Sequence, residues 1–393
     1  MHVKKHLKTV RRSLVLAVMA GLVPAMATTT NAKTVDGIAI SGYIDPTYIY
    51  NQDAQVSSFF FADRNTPYSY YHSTFGDLYL DFNKKFGNGG SIAIQLMPTR
   101  GYGSAFGSPT TLHAANSIIN AAILTLPVSK TVDLIAGQVP AWDGYESETS
   151  PQMLTITHNL LYDFSEPGYF TGAGASFATG IVTVQTLVGN SWNTAYTGSA
   201  APTKAPTFEY RVSLAPSGAL SFGLYGTIGK NPTLANSAVE TTRIYNDFDG
   251  ALTLGAATFD WQFDLGRQTD GAANGGNALW YGTSLLANYR FTPLVGATLR
   301  FDYLNDKKNG GHVSTTDPAD GFYVPTTSTG INNGPVREAV TADLLLYPVK
   351  NTIVKFEYRY DKAMNGALFA DAAAASGYKS SNNVLAAQIV YSF

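Results

Sequence analysis

No cysteine occurs anywhere in the 393 residues. That absence excludes disulfide frameworks, Cys-ligated zinc, iron–sulfur clusters and thiol catalysis. Charge is scarce as well, with Asp, Glu, Lys and Arg together making up 14% of the chain. Beyond the first three dozen residues no apolar run reaches the ~18–20 residues that a membrane-crossing helix requires. Phosphate-cradling loops are missing, since the glycine-rich stretches Gly101-Tyr-Gly103 and Gly87-Asn-Gly-Gly90 are not followed by a helix start. Neither H-E-x-x-H nor G-x-S-x-G occurs. His158, Asp163 and Ser165 share one link, and they read as solvated loop residues rather than catalytic ones. The sequence therefore points away from an enzyme, a cofactor and a bound metal. The length falls short of a plug domain followed by a 22-stranded barrel.

Glycine (37), tyrosine (24) and phenylalanine (21) are abundant instead. The N-terminus carries Lys4, Lys5, Lys8, Arg11 and Arg12 with no acid, then an apolar run from Leu14 to Val23, then Ala25-Met-Ala27. A basic region, a short apolar region and an A-x-A site predict a secretory signal over 1–27, with a second possible cut after Ala32. The whole chain has 26 basic and 28 acidic side chains. Removing the five basic residues of the signal leaves 21 against 28, a net of −7 with histidine neutral. That sign, with no basic stripe, argues against a nucleic-acid partner.

From about residue 33 onward the chain reads as one domain of short segments with period-two alternation. Leu78, Leu80 and Phe82 oppose Asp77, Tyr79, Asp81 and Asn83. Phe208, Tyr210, Val212 and Leu214 oppose Glu209 and Arg211; Phe259, Trp261, Phe263 and Leu265 oppose Asp260, Gln262 and Asp264. Leu299, Phe301 and Tyr303 oppose Arg300 and Asp302. The clearest case sets Val354, Phe356, Tyr358 and Tyr360 against Lys355, Glu357, Arg359 and Asp361. An aromatic strand with charges at alternate positions needs lipid on one side and water on the other. With no membrane helix, insertion has to be as a closed barrel, because lipid leaves no other way to satisfy the backbone. The predicted fold is an all-β transmembrane antiparallel barrel of about sixteen strands (fourteen to eighteen). Short links alternate with long ones (51–74, 99–115, 140–166, 191–205, 230–241, 268–278, 305–335, 362–382), as periplasmic turns alternate with outer loops.

On this reading the lumen wall carries Asp77, Asp81, Glu209, Arg211, Arg243, Asp247, Asp249, Asp260, Asp264, Arg300, Asp302, Lys355, Glu357, Arg359 and Asp361. Some of these are expected to pair across strands, and others to shape the field that solutes cross. The link 140–166, with Asp143, Tyr145, Glu146 and Glu148, is the candidate constriction loop. Folded inward it would set its acids against Arg300 and Arg359; folded outward it would be a surface loop. The last segment, Val384 to Phe393, places Leu385, Ala387, Ile389, Tyr391 and Phe393 on one face, and resembles the terminal strand that barrel assembly machinery reads through its final aromatic residue.

One stretch is more specific. Asp133-Leu-Ile-Ala-Gly-Gln-Val-Pro-Ala-Trp-Asp-Gly-Tyr-Glu146, then Pro167-Gly-Tyr-Phe-Thr-Gly-Ala-Gly-Ala-Ser-Phe177, resembles the OmpL-like β-barrel porin family. Ser41-Gly-Tyr-Ile-Asp45 with Tyr48 and Tyr50 is similar to that family's first strand, and the resemblance runs from about residue 38 to the end. It implies a passive outer-membrane porin of a Gram-negative bacterium, with outer-membrane lipids, small hydrophilic solutes and the assembly machinery as partners; whether barrels form a homotrimer stays open. The rival reading is a barrel with a plugged lumen whose outer loops bind a surface ligand.

Overall fold

Extended backbone turns successive side chains to opposite faces, so the alternation above becomes two-faced strands. A computed structural model of the chain describes residues 33–61, 76–87, 89–97, 118–190, 205–233, 239–272, 276–306, 336–364, 369, 370, 373 and 378–393. The expected signal segment, His72, His113 and His312 lie outside these residues, as does most of the link 305–335.

In chain order the strands are β1 (Lys33–Val35), β2 (Ile38–Ile44), β3 (Thr47–Asn51), β4 (Val56–Phe60), β5 (Leu78–Lys85), β6 (Ser91–Leu96) and β7 (Ile119–Pro127). Then follow β8 (Val132–Pro140), the short helix α1 (Leu160–Phe164), β9 (Tyr169–Thr179), β10 (Val182–Gly189), β11 (Thr207–Ser217) and β12 (Leu220–Pro232). The remainder are β13 (Glu240–Leu254), β14 (Ala257–Gln268), β15 (Ala278–Thr292), β16 (Val295–Asn305), β17 (Val336–Leu346) and β18 (Thr352–Ala363), then β19 (Phe369–Ala370), β20 (Tyr378–Lys379) and β21 (Ser381–Ser392). Each wall strand pairs antiparallel with its neighbour, and β2 with β3 forms the first of sixteen. The wall closes where β21 pairs with β18 on one side and with β2 and β3 on the other. Closure removes the sheet edges that would otherwise leave unpaired backbone in lipid.

The first wall strand differs from the single run expected over 37–50. It breaks at Asp45-Pro46 because proline has no N–H to give the ladder, and because the Asp45 carboxylate takes the Asp77 backbone N–H and the Ser150 hydroxyl. Beyond the break β3 leaves β5 and pairs with β4. The turn expected at 215–218 is also tighter, since β11 runs on to Ser217 through an irregularity after Leu214. At the C-terminus Phe393 N–H donates to Gly42 O at 2.9 Å, and Gly42 N–H donates to Phe393 O at 3.1 Å. Only glycine fits there, because an added Cβ would overlap the Tyr79 carbonyl and reach Phe393 Cζ at 2.9 Å.

Outward-facing Phe263 (48% exposed), Leu299 (57%), Phe356 (47%) and Ile389 (51%) belong to a continuous apolar belt, while their inward neighbours Asp264, Arg300, Lys355 and Gln388 are buried. Soluble surfaces seldom expose such a band, and a charge facing lipid at mid-depth costs about 2–4 kcal/mol. The sidedness follows from that difference.

Candidate functional site

The lumen is crossed by the connection between β8 and β9, residues 141–168. Its backbone is fastened to wall strands far away in sequence. Arg300 on β16 is the hub: Nη1 donates to Glu146 Oε1 (2.7 Å), Thr155 Oγ1 (2.9 Å) and Thr157 O (2.7 Å), and Nη2 to His158 O (2.9 Å). Asp302 steadies the same guanidinium through Nε at 3.1 Å. On β18, Lys355 Nζ donates to Ser150 O and Thr155 O, both at 2.9 Å. Glu357 accepts from Ile156 N (2.6 Å), Thr157 N (3.0 Å) and Thr157 Oγ1 (2.6 Å). Arg359 donates to His158 O at 2.6 Å and through Nε to Asp361 at 3.0 Å.

The other half of the connection reaches the acidic wall. Arg211 on β11 holds Asp249 with two bonds, at 2.6 and 2.7 Å, and also donates to Trp142 O. Gly144 N–H donates to Asp247 Oδ2 at 3.0 Å, and the Tyr145 hydroxyl meets Ser284 Oγ at 2.6 Å. Gln262 Nε2 donates both to Glu166 and, at 3.0 Å, to Asp264. Glu148 accepts from Asn120 Nδ2 at 2.7 Å on β7.

Apolar packing reinforces these tethers. Asn159 caps α1, its Oδ1 accepting from Leu161 N at 2.8 Å and Tyr162 N at 2.7 Å, a role suited to Asn. The helix buries Leu160, Leu161 and Phe164 in one cluster with Leu304, Ala339, Ala363, Val384 and Ala386 of the inner wall. Each such side chain contributes about 1.5–3 kcal/mol when fully buried. Gly282 leaves the space Leu161 fills, since a Cβ there would overlap Leu161 Cδ2. The Arg337 guanidinium lies over the Phe164 ring at 4.1 Å.

Among the residues singled out in the sequence, Glu146 and Arg300 meet at 2.7 Å with both side chains almost fully enclosed. Arg359 differs from expectation: it faces a loop carbonyl and its strand neighbour Asp361, not a loop acid. Asp77 sits just before β5 and is buried beside Asp45, whereas Asp81 is only part-buried on β5 opposite Ser41 and Gln95. Glu209 accepts from the Tyr225 hydroxyl at 3.0 Å, and Asp260 lies opposite Ala251 and Leu286. Arg243 donates to Gln268 at 2.8 Å and lies 5.9 Å from the Trp280 ring centroid. His158 stacks on Tyr162, with ring centroids 3.8 Å apart, and its Nε2 lies 3.0 Å from Ser147 O. Gln262, Glu166, Ser150 and Thr157 were not picked out from sequence. Gln262 alternates with Asp260 and Asp264, which was the available signal; the loop residues carried none.

Burial pushes the Glu146 carboxyl up to about 7, against the pull of the adjacent Arg300, and pushes the His158 ring down to about 3. Both changes favour neutral groups, as desolvation should. Among the described residues no group of three or more His, Asp or Glu side chains is arranged to hold a metal ion.

Solved structures share this architecture. The outer membrane channel DcaP of Acinetobacter baumannii superposes with a TM-score of 0.60 at 13% identity, covering 92% of this chain and 99% of its own. An anion-selective porin from Comamonas acidovorans gives 0.57 at 13% identity, covering 91% and 99%. OmpF of Salmonella typhi gives 0.55 at 10% identity, covering 91% and 97%. At such identities the likeness establishes the fold: this is a porin-like β-barrel of the outer-membrane type. No curated protein sequence matches the chain. The chain belongs to the DUF3138 family of proteins of unknown function, whose model matches residues 10–393.

Proposed function

We propose that this barrel is a porin for passive diffusion of small hydrophilic solutes, with residues 141–168 as its constriction. The observation that carries the reading is the inward loop tied by Arg300, Lys355, Glu357 and Arg359 to one wall and by Arg211, Asp247 and Gln262 to the other. A loop held at both sides narrows a bore to a fixed shape, and charged side chains around it set which solutes pass. The OmpL-like kinship suggested by Asp133–Glu146 and Pro167–Phe177 points the same way and stands as a proposal beside membership of DUF3138. Export by the N-terminal signal, residence in a Gram-negative outer membrane and reading of Phe393 by assembly machinery complete the proposal.

A second reading draws on the same network. Tethers reaching both β7 and β18 could equally plug the lumen, leaving the outer loops to bind a surface ligand. Single-channel recording from the refolded chain without residues 1–27, in a planar bilayer, separates the two. Stable ohmic steps support the porin; a heat-modifiable, folded barrel that passes no current supports the plug.

A further inference from the structure

The lumen's charges are unevenly satisfied. At mid-height its bases are committed: Arg300, Lys355 and Arg359 to loop carbonyls and neighbouring carboxylates, Arg211 to Asp249 and the Trp142 carbonyl. Arg300, Arg359 and Arg211 each hold a carboxylate of their own, so little uncompensated positive charge is left on these bases.

The acids opposite are not matched in this way. Asp143 Oδ2, Glu209 Oε2, Asp247 Oδ1, Asp260 Oδ1 and Asp264 Oδ2 are buried carboxyl oxygens with no hydrogen-bond partner among the described residues. Several converge. Asp247 and Asp264 sit directly opposite one another on β13 and β14, an arrangement of like charges that is ordinarily destabilising. Glu166 and Asp264 share the single donor Gln262 Nε2. Gly144 packs against Glu166 and Gln262, where an added Cβ would stand 3.2 Å from a Glu166 oxygen and 3.1 Å from Gln262 Oε1. The compartment's base, Arg211, is already spent on Asp249.

Carboxylates crowded in this way cannot all stay ionised and dry; they take up protons, water or mobile cations. Beside an aqueous bore the consequence is a negative potential that concentrates cations and repels anions. Among the described residues no three of these groups are arranged to hold a metal ion, and the inference concerns cations that diffuse past.

We infer that the channel prefers cations, and that Asp143, Glu166, Asp247 and Asp264 set this preference where the 141–168 loop meets β13 and β14. This rests on the channel reading above. The same fold can carry the opposite sign, as in the porin named anion-selective. The test is the reversal potential of the refolded mature chain in a planar bilayer under a tenfold KCl gradient. Wild type is expected to reverse on the potassium side, and Asp143→Asn with Glu166→Gln and Asp264→Asn should move the permeability ratio several-fold toward unity. Each single substitution is recorded too, with folding checked by heat-modifiable migration. Ohmic steps with no preference or with chloride preference would overturn the inference while leaving the channel intact. Unchanged selectivity in folded variants would overturn the assignment to these residues. Absence of any steps from folded wild type would remove the channel reading and this inference with it.

Discussion

Replacing Arg300 with alanine deletes the guanidinium that joins β16 to four loop groups, Glu146, Thr155 Oγ1, Thr157 O and His158 O. Removing one partner of a buried ion pair costs about 3–5 kcal/mol, because the survivor is left uncompensated. At 1.4 kcal/mol per factor of ten, the docked loop loses about two to three and a half orders of magnitude relative to a released one. Lys355, Glu357 and Arg359 still hold residues 150–158, so the release is transient and partial. The wall itself is a backbone ladder and does not depend on Arg300. The expected outcome in single-channel recording is a larger mean step with frequent flicker, from a barrel whose heat-modifiable migration is unchanged. Arg300→Lys should recover the charge but only part of the quiet baseline, since an ammonium lacks the planar fork that meets Glu146 and two carbonyls together. Adding Glu146→Gln to Arg300→Ala should restore docking in part by removing the stranded carboxylate. Wild-type step size and noise in Arg300→Ala would refute the idea that this side chain holds the constriction.

The apolar anchor can be tested separately: Leu161→Ala should cost the docked loop about 2–5 kcal/mol, read as increased protease cleavage within 141–168. On the outer belt, Phe263→Arg should lower barrel stability by about 2–4 kcal/mol in urea titration of the bilayer-inserted protein, whereas the same change in water-facing surface would be nearly neutral. The Glu146 carboxyl, ordinarily at 4.5, is raised to about 7 in the docked loop. The docked form therefore binds more protons than a released loop between those values, so docking is strongest at and below pH 4.5 and weakens as pH rises through 7. That is worth roughly 3 kcal/mol at most, and it predicts more flicker at pH 8 than at pH 5, with the difference lost in Glu146→Gln. Equal noise at both pH values in wild type would count against it.

Period-two alternation belongs to the strand itself, so local sequence was enough to determine which side of each strand meets lipid. Phe356 and Tyr358 outward with Lys355, Glu357 and Arg359 inward follow from the cost of a charge in hydrocarbon, with no knowledge of neighbouring strands. About sixteen antiparallel strands were legible from the same alternation, while the link between β8 and β9 was a candidate for entering the lumen by its place and its acids, with an outward course left open. The break at Asp45-Pro46 was half visible, through the proline; its other cause, Asp45 reaching Asp77 and Ser150, spans 32 and 105 residues of sequence. The pairing of Glu146 with Arg300 could be anticipated by sign, but not that Arg359 would take the His158 carbonyl or that one Gln262 amide would serve both Glu166 and Asp264. Those choices join residues about 100 to 200 positions apart. Only closure of the wall, which sets the register of every strand and so the height of every inward side chain, decides which of them the loop can reach.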